Sequence, residues 1–266
     1  MKPTDPADPA DLMAELVGDL RAETASFETL LRPLREEDWE LATPAEGWAI
    51  RDQVSHLAWF DDAAVRAVTD PDGHAAALTG FGSVDDIAME SRGMPPAELH
   101  AWFRAARARS LKVFATLGAR RRVPWFGPPM SAASFVTARL METWAHGQDV
   151  ADALGVVRRP TARLRHVAAI GFRARPYSFA VRGLPAPAEP VRAELTMADG
   201  ALWAAGPADA GSVVRGPILD FCLVVTQRIH LSDTALELTG EPARAWMEIA
   251  QAFAGGPGKG RAPRSG

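Results

Sequence analysis

Four stretches of helical periodicity fill the first 155 residues, and they constrain the fold more than any other feature of the chain. From Pro9 to about Pro33 the apolar residues Leu12, Leu16, Leu20, Phe27, Leu30 and Leu34 recur at the spacing that one buried helix face requires. A second amphipathic run starts near Ile50 and reaches Val68. There Asp70-Pro71-Asp72-Gly73 stops it, because proline and glycine both oppose continuation. Gly73 to Met94 reads as irregular. Pro95-Pro96-Ala97-Glu98 opens a third helix, with proline in its first turn, that runs to about Leu117. A basic, aromatic and proline-rich connection follows from Arg120 to Met130. Ser131 then fits the N-cap of a fourth helix that continues to Leu154 and ends at Gly155. Four such helices predict an antiparallel four-helix bundle over residues 1–157.

Beyond Gly155 the pattern changes. Thr161 to Ala180 is helical in character, with Pro176 set to kink or end it. Val191 to Met197 and Ala201 to Ala204 flank Asp199-Gly200, which predicts a β-hairpin. A helix over Pro217 to His230, a strand at Ala235 to Thr239 and a helix over Pro242 to Phe253 complete the expectation. The fold class is therefore mainly α with a smaller α+β part: an N-terminal four-helix bundle, a C-terminal α+β domain over 158–254, and a glycine-rich, basic tail over 255–266 expected to be disordered.

A formal net charge of -4 offers no overall attraction to nucleic acid or to an anionic membrane, and no basic recognition helix is present. No apolar run approaches the roughly 18 residues of a membrane span. Met1 to Pro9 is acidic and proline-rich where a secretory signal would be basic and then apolar, so a cytoplasmic location is expected. Cys222 is the single cysteine, which excludes an internal disulfide and a multi-cysteine zinc site. Its apolar surroundings, Ile218 to Val225, predict a buried, inert thiol.

The residues that carry chemistry lie on the second and fourth helices. Glu142 and His146 in Glu142-Thr143-Trp144-Ala145-His146 are four residues apart, so both project from one helix face. His56 lies in the apolar run Val54-Ser55-His56-Leu57-Ala58-Trp59-Phe60. Two histidines and a carboxylate on facing helices are the ligand set of an open, catalytic-type divalent metal site. The spacing alone also fits an ordinary exposed pair, and an inward Glu142 can instead be neutralised by Arg139, one turn earlier. Asp52 or Asp149 would serve as acceptor for a ligand histidine. His74, in the irregular segment, and His100, His166 and His230 read as surface or capping residues.

The motif Gly47-Trp48 with Asp52-Gln53-Val54-Ser55-His56-Leu57, followed by Glu142-Thr143-Trp144-Ala145-His146-Gly147-Gln148-Asp149-Val150-Ala151-Asp152-Ala153-Leu154-Gly155, resembles the mycothiol-dependent maleylpyruvate isomerase family. That family belongs to the wider DinB-like, metal-binding four-helix bundles. The resemblance spans nearly the whole chain, and Val123-Pro124-Trp125-Phe126-Gly127-Pro128-Pro129-Met130 is similar to an uncharacterised actinobacterial metal-binding subgroup. It implies His56, Glu142 and His146 as metal ligands, zinc as the divalent metal and mycothiol as the thiol cosubstrate.

A metal ion with an open position can generate a thiolate at neutral pH, and that thiolate would attack a small electrophilic substrate. Cys222 is a poor nucleophile, so an external low-molecular-weight thiol fills the role. Arg139 is the candidate catalytic residue, as a binder of carboxylate or polar thiol groups. Trp125, Phe126 and Met130 would form an apolar wall at the ligand site, or simply cap the bundle core. Arg120, Arg121 and Arg122 read as a solvated basic loop. Two alternatives stand beside a thiol-using isomerase or transferase: a hydrolase whose nucleophile is metal-bound water, and a non-catalytic metal-binding or regulatory protein. The sequence does not specify the oligomeric state.

Overall fold

The computed structural model describes residues 9–79 and 82–264, so the segment Met1 to Asp8, on which the expectation about a signal rests, lies outside the described residues. The chain divides into two compact units, Met1–Val157 and Arg158–Gly266. In the first, α1 (Pro9–Leu31) is followed by a 3-10 turn at Glu36–Glu40, then α2 (Ile50–Thr69), α3 (Pro71–Leu78), α4 (Val84–Glu90) and α5 (Pro96–Phe114). Strands β1 (Arg122–Trp125) and β2 (Gly127–Ser131) lead into α6 (Ala132–Ala153). The second unit holds α7 (Leu164–Arg173), α8 (Arg175–Ala180), β3 (Val191–Thr196), β4 (Leu202–Ala205), β5 (Ser212–Pro217), α9 (Ile218–Val225), β6 (Glu237–Thr239) and α10 (Glu241–Met247). Among the described residues no helix is long and apolar enough to cross a membrane.

Four long helices form the first unit: α2 packs on α5 and α6, and α1 packs on the same two. Phe27 meets Phe103 and Phe114 meets Phe135 edge to face, with ring centroids 5.5 and 5.6 Å apart, and all four rings are fully buried. Each such side chain stabilises the fold by about 1.5–3 kcal/mol through area removed from water. The ends of α6 are set by local chemistry. Ser131 Oγ accepts from Ser134 N, and Gly155 adopts φ +66, a left-handed C-terminal stop that suits glycine.

A buried ionic network crosses all four long helices. Asp61 on α2 accepts from Arg107 Nε of α5 at 2.6 Å and from Arg139 Nη2 of α6 at 3.3 Å, and all three residues are buried. Arg107 also donates to Thr24 Oγ1 on α1 and to Thr143 Oγ1 on α6.

The segment expected to be irregular, Gly73 to Met94, contains α3 and α4. The same Asp70-Pro71 that stops α2 starts α3, because Asp70 Oδ1 accepts from Gly73 N and proline suits the first turn. Ser83 and Asp86 form a reciprocal capping box that begins α4. The proline-rich connection is a β-ribbon, with Arg122 opposite Ser131 and Val123 opposite Met130. Pro124, Pro128 and Pro129 disguise it, yet a two-stranded ribbon is all edge and tolerates missing donors. β1 packs on α2 and β2 on α6.

In the second unit the sheet order is β4-β3-β5-β6. β3 and β4 form the expected antiparallel hairpin, and β3 pairs in parallel with β5, a strand that sequence reading missed. The expected helix over Thr161 to Ala180 begins at Leu164 and is divided near Ala174, and α9 and α10 are shorter than expected. Residues 255–264 have no regular secondary structure, and several of them are hydrogen-bonded to other parts of the unit. Tyr177 Oη donates to Gly255 O, Gly258 N donates to Gln251 Oε1, and Gly260 N donates to Gln227 Oε1.

Replacing Asp61 with Ala would leave two buried guanidinium groups without their shared carboxylate. Urea denaturation should show a loss of about 3–5 kcal/mol, and most of it should return when Arg107 and Arg139 are also replaced by Met.

Candidate metal centre

α2 and α6 bring His56, Glu142 and His146 together, with one ligand atom from each lying within 4.8 Å of the others. Glu142 Oε2 is 3.1 Å from His146 Nε2 and 3.8 Å from His56 Nε2, and the two imidazole rings are 4.3 Å apart. Both histidines are buried and Glu142 is half-buried.

The tautomer of His146 follows from its neighbours. Thr43 Oγ1 donates to Trp48 O and therefore accepts from Gln53 Nε2 at 2.9 Å. That fixes the orientation of the Gln53 amide, whose Oε1 faces His146 Nδ1 at 2.5 Å. Nδ1 therefore donates to Gln53 Oε1, which leaves Nε2 as the nitrogen that faces the Glu142 carboxylate at 3.1 Å. Three atoms each about 2.1 Å from a tetrahedral zinc lie about 3.4 Å apart. The two Glu142 separations of 3.1 and 3.8 Å bracket that edge, so the donor set fits such an ion.

Charge states agree with this fit. Burial, reinforced by the neighbouring His146, lowers the His56 pKa to about 3, which leaves a neutral imidazole at pH 7. Burial pushes the Glu142 carboxyl up, but hydrogen bonds with His146 and His56 outweigh it and hold the group well below the usual carboxylate range. The Glu142 carboxylate and the neutral His56 imidazole, with His146 Nε2 as third donor, would leave a divalent ion with residual positive charge and an open position.

The surroundings are aromatic. The Trp48 ring is 5.5 Å from His56 and stacks at 15° on His146, while its Nε1 donates to Asp85 on α4. Phe60, one turn after His56 on α2, lies 4.5 Å from the His56 ring and bridges to Phe126 at 5.3 Å and Trp125 at 6.0 Å.

Several sequence expectations change here. Arg139 does not pair with Glu142. It is buried against Asp61, donates to Leu57 O, and lies over the Phe60 ring. The acceptor for His146 is Gln53, in place of Asp52 or Asp149. Asp52 instead accepts two hydrogen bonds from Arg92 and one from Ala49 N. Met130 pairs with Val123 in the ribbon, whereas Trp125 and Phe126 at its tip reach the aromatic group. His74 is buried and stacks at 6° on Trp125, and His100 is half-buried against Glu28 at 3.0 Å, so neither is a plain surface residue. Asp61 was missed altogether. Its signal was a carboxylate one turn beyond Leu57 on an otherwise inward face.

Residues 20–151 match the family model described as the mycothiol maleylpyruvate isomerase N-terminal domain. Two uncharacterised proteins from two strains of Mycobacterium tuberculosis are 48% identical over 260 residues, which covers 96% of this chain and 100% of theirs. This chain belongs to the mycothiol maleylpyruvate isomerase family. Crystal structures of the mycothiol-dependent maleylpyruvate isomerase and of a mutant form share its fold. Each has a TM-score of 0.58 at 17% identity and covers 87% of this chain and 95% of the solved one. As in the sequence expectation for this family member, the chain's own thiol is withdrawn: Cys222 is fully buried, and burial raises its pKa well above the ordinary value.

Two outcomes follow. Gln53→Leu should weaken zinc binding by about 10–100-fold in competition with a chromophoric chelator, because His146 loses the partner that sets its tautomer. Cys222 should resist a thiol-reactive disulfide reagent in the native protein at pH 8 to 9 and react at once after unfolding, a difference read by thiol release over time.

Proposed function

We propose that this chain is a metal-dependent, thiol-using isomerase or transferase in which His56, Glu142 and His146 hold a divalent ion, zinc by the chemistry of the set, and mycothiol is the cosubstrate. The observation that carries the reading is the convergence of His146 Nε2, Glu142 Oε2 and a His56 ring nitrogen within 4.8 Å of one another. Family membership supports the thiol, since the solved relative is a mycothiol-dependent isomerase. When bound, such an ion supplies Lewis acidity that lowers the pKa of a thiol at its open position.

The chain's own groups have distinct tasks. Gln53 orients His146, Trp48 covers the two imidazoles, and the Asp61–Arg139 pair fixes the spacing of α2 against α6, which makes Arg139 a positioning residue. The buried Cys222 leaves the nucleophile to an external thiol. In the reaction, a carbon–sulfur bond forms at the electrophilic carbon of a conjugated carbonyl. The π pair shifts toward the carbonyl oxygen, and the proton lost by the thiol completes an adduct. Rotation about the carbon–carbon bond that has lost its π pair, then expulsion of the thiolate with release of the added proton, returns the geometric isomer; retention of the thiol gives a transferase product.

Elemental mass spectrometry on untagged protein tests the reading. Wild type should carry close to one metal ion per chain, and His56→Ala, Glu142→Ala and His146→Ala should each lose it. A wild type that remains metal-free after reconstitution would overturn the proposal, and turnover without added thiol would select the hydrolase.

A further inference from the structure

The second unit carries a cleft that the thiol chemistry does not use. We propose that it binds a small organic phosphate, with the phosphate group held by Arg182, Lys259 and Arg261 and the apolar body of the molecule against Val224, Ile229 and Leu231. The cleft has a volume of about 480 Å³ and is bounded on one side by the glycine-rich, basic segment that follows Phe253. Small-molecule sites occupy roughly 300–1,000 Å³, so the cleft is of ligand size.

The basic segment is held to this cleft by two glutamines. Buried Gln251 donates from Nε2 to Phe253 O and Gly256 O, and its Oε1 accepts from Gly258 N at 2.9 Å. Gln227 donates to Ala250 O and accepts from Gly260 N at 3.2 Å. Lys259 therefore lies between two anchored backbone positions. Gln227 itself holds φ +59, the left-handed region that side-chain-bearing residues enter at a cost and that recurs at ligand sites. A side chain at position 258 would run into Gln227 Oε1, so glycine there lets the segment pass close to the cleft floor.

Charge identifies the ligand class. Three cations, Arg182, Lys259 and Arg261, line the cleft with one carboxylate, Glu248. Asp233 lies off the lining, although it is next to Ser232, and accepts from Arg264 N. Arg182 donates to Ser178 O, Gln251 Oε1 and Gly258 O. All three acceptors are uncharged, and they engage three of the five guanidinium N–H groups. Lys259 and Arg261 have partners of their own in the chain but keep their charge. His230 adds a neutral donor: its Nδ1 accepts from Ser232 N at 3.2 Å, so the proton of the neutral ring sits on Nε2. A phosphate monoester carries about -1.5 to -2 at pH 7, which the excess of cations over Glu248 balances. A singly charged carboxylate or sulfate ester balances only part of it. Arginine and lysine are also the side chains whose donors suit phosphate oxygens.

Isothermal titration calorimetry on the full chain tests this with phenyl phosphate, phenyl sulfate and inorganic phosphate at neutral pH and low salt. The protein is metal-stripped, so that no ion at His56, Glu142 and His146 can take the phosphate. Phenyl phosphate should bind at least about fivefold more tightly than phenyl sulfate, which has one charge fewer, and than inorganic phosphate, which lacks the ring. Replacing Lys259 and Arg261 together by Gln should weaken phenyl phosphate about tenfold. Arg66→Gln, which removes an exposed cation of the first unit, should leave binding unchanged, with circular dichroism confirming that both variants remain folded. Failure of phenyl phosphate to bind wild type would overturn the proposal. Either of the other probes binding as tightly, a folded double variant that binds like wild type, or an equal loss in Arg66→Gln would overturn it too. If the double variant does not fold, the three probes on wild type still decide.

Discussion

The Asp61 carboxylate is the interaction on which the arrangement of the helical unit depends. Through Arg107 and Arg139 it joins α2 to α5 and α6, and through Arg107 it reaches Thr24 on α1. Apolar packing contributes most of the stability, but it is non-directional and tolerates sliding. A buried carboxylate shared by two guanidiniums does not, because any shift leaves charge unpaired in a medium that cannot solvate it. His56 lies on α2 five positions before Asp61, and Glu142 lies on α6 three positions after Arg139. The network that fixes the helices therefore also fixes the distance across which the three donors meet.

A second layer of control comes from the turn before α2. Thr43 closes that turn on Trp48 and presents its hydroxyl to Gln53, which in turn sets the protonated nitrogen of His146. The turn thus determines which nitrogen of His146 faces Glu142, and the same residues place the Trp48 indole beside both imidazoles. A neutral His56 and an ionised Glu142 complete a donor set that is ready for a cation without any change of protonation.

Much of this was legible in the residues themselves. α2 and α6 carry strong periodicity and clear end signals, Ser131 and Gly155 among them, and the i,i+4 spacing of Glu142 and His146 needs nothing beyond helix geometry. The hairpin around Asp199-Gly200 was equally plain. What escaped depends on partners distant in sequence or on local signals of conflicting sign. Arg139 lies one turn from Glu142 and seemed suited to it, yet its partner is 78 positions away on another helix. The ribbon was hidden by its prolines, and α3 was hidden by an Asp-Pro pair that both ends one helix and begins the next. β5 lacks alternation, with Ser212, Val213 and Val214 buried in succession, so it carries no period-two signal.

The burial of Cys222 has a consequence for durability. Its sulfur is fully enclosed, with Leu164 O as its hydrogen-bond acceptor, and it is the chain's single cysteine. A protein that handles compounds reactive toward sulfur risks covalent self-inactivation through any accessible thiol of its own. This chain presents none in its folded state, so covalent capture through a cysteine requires that the second unit first open.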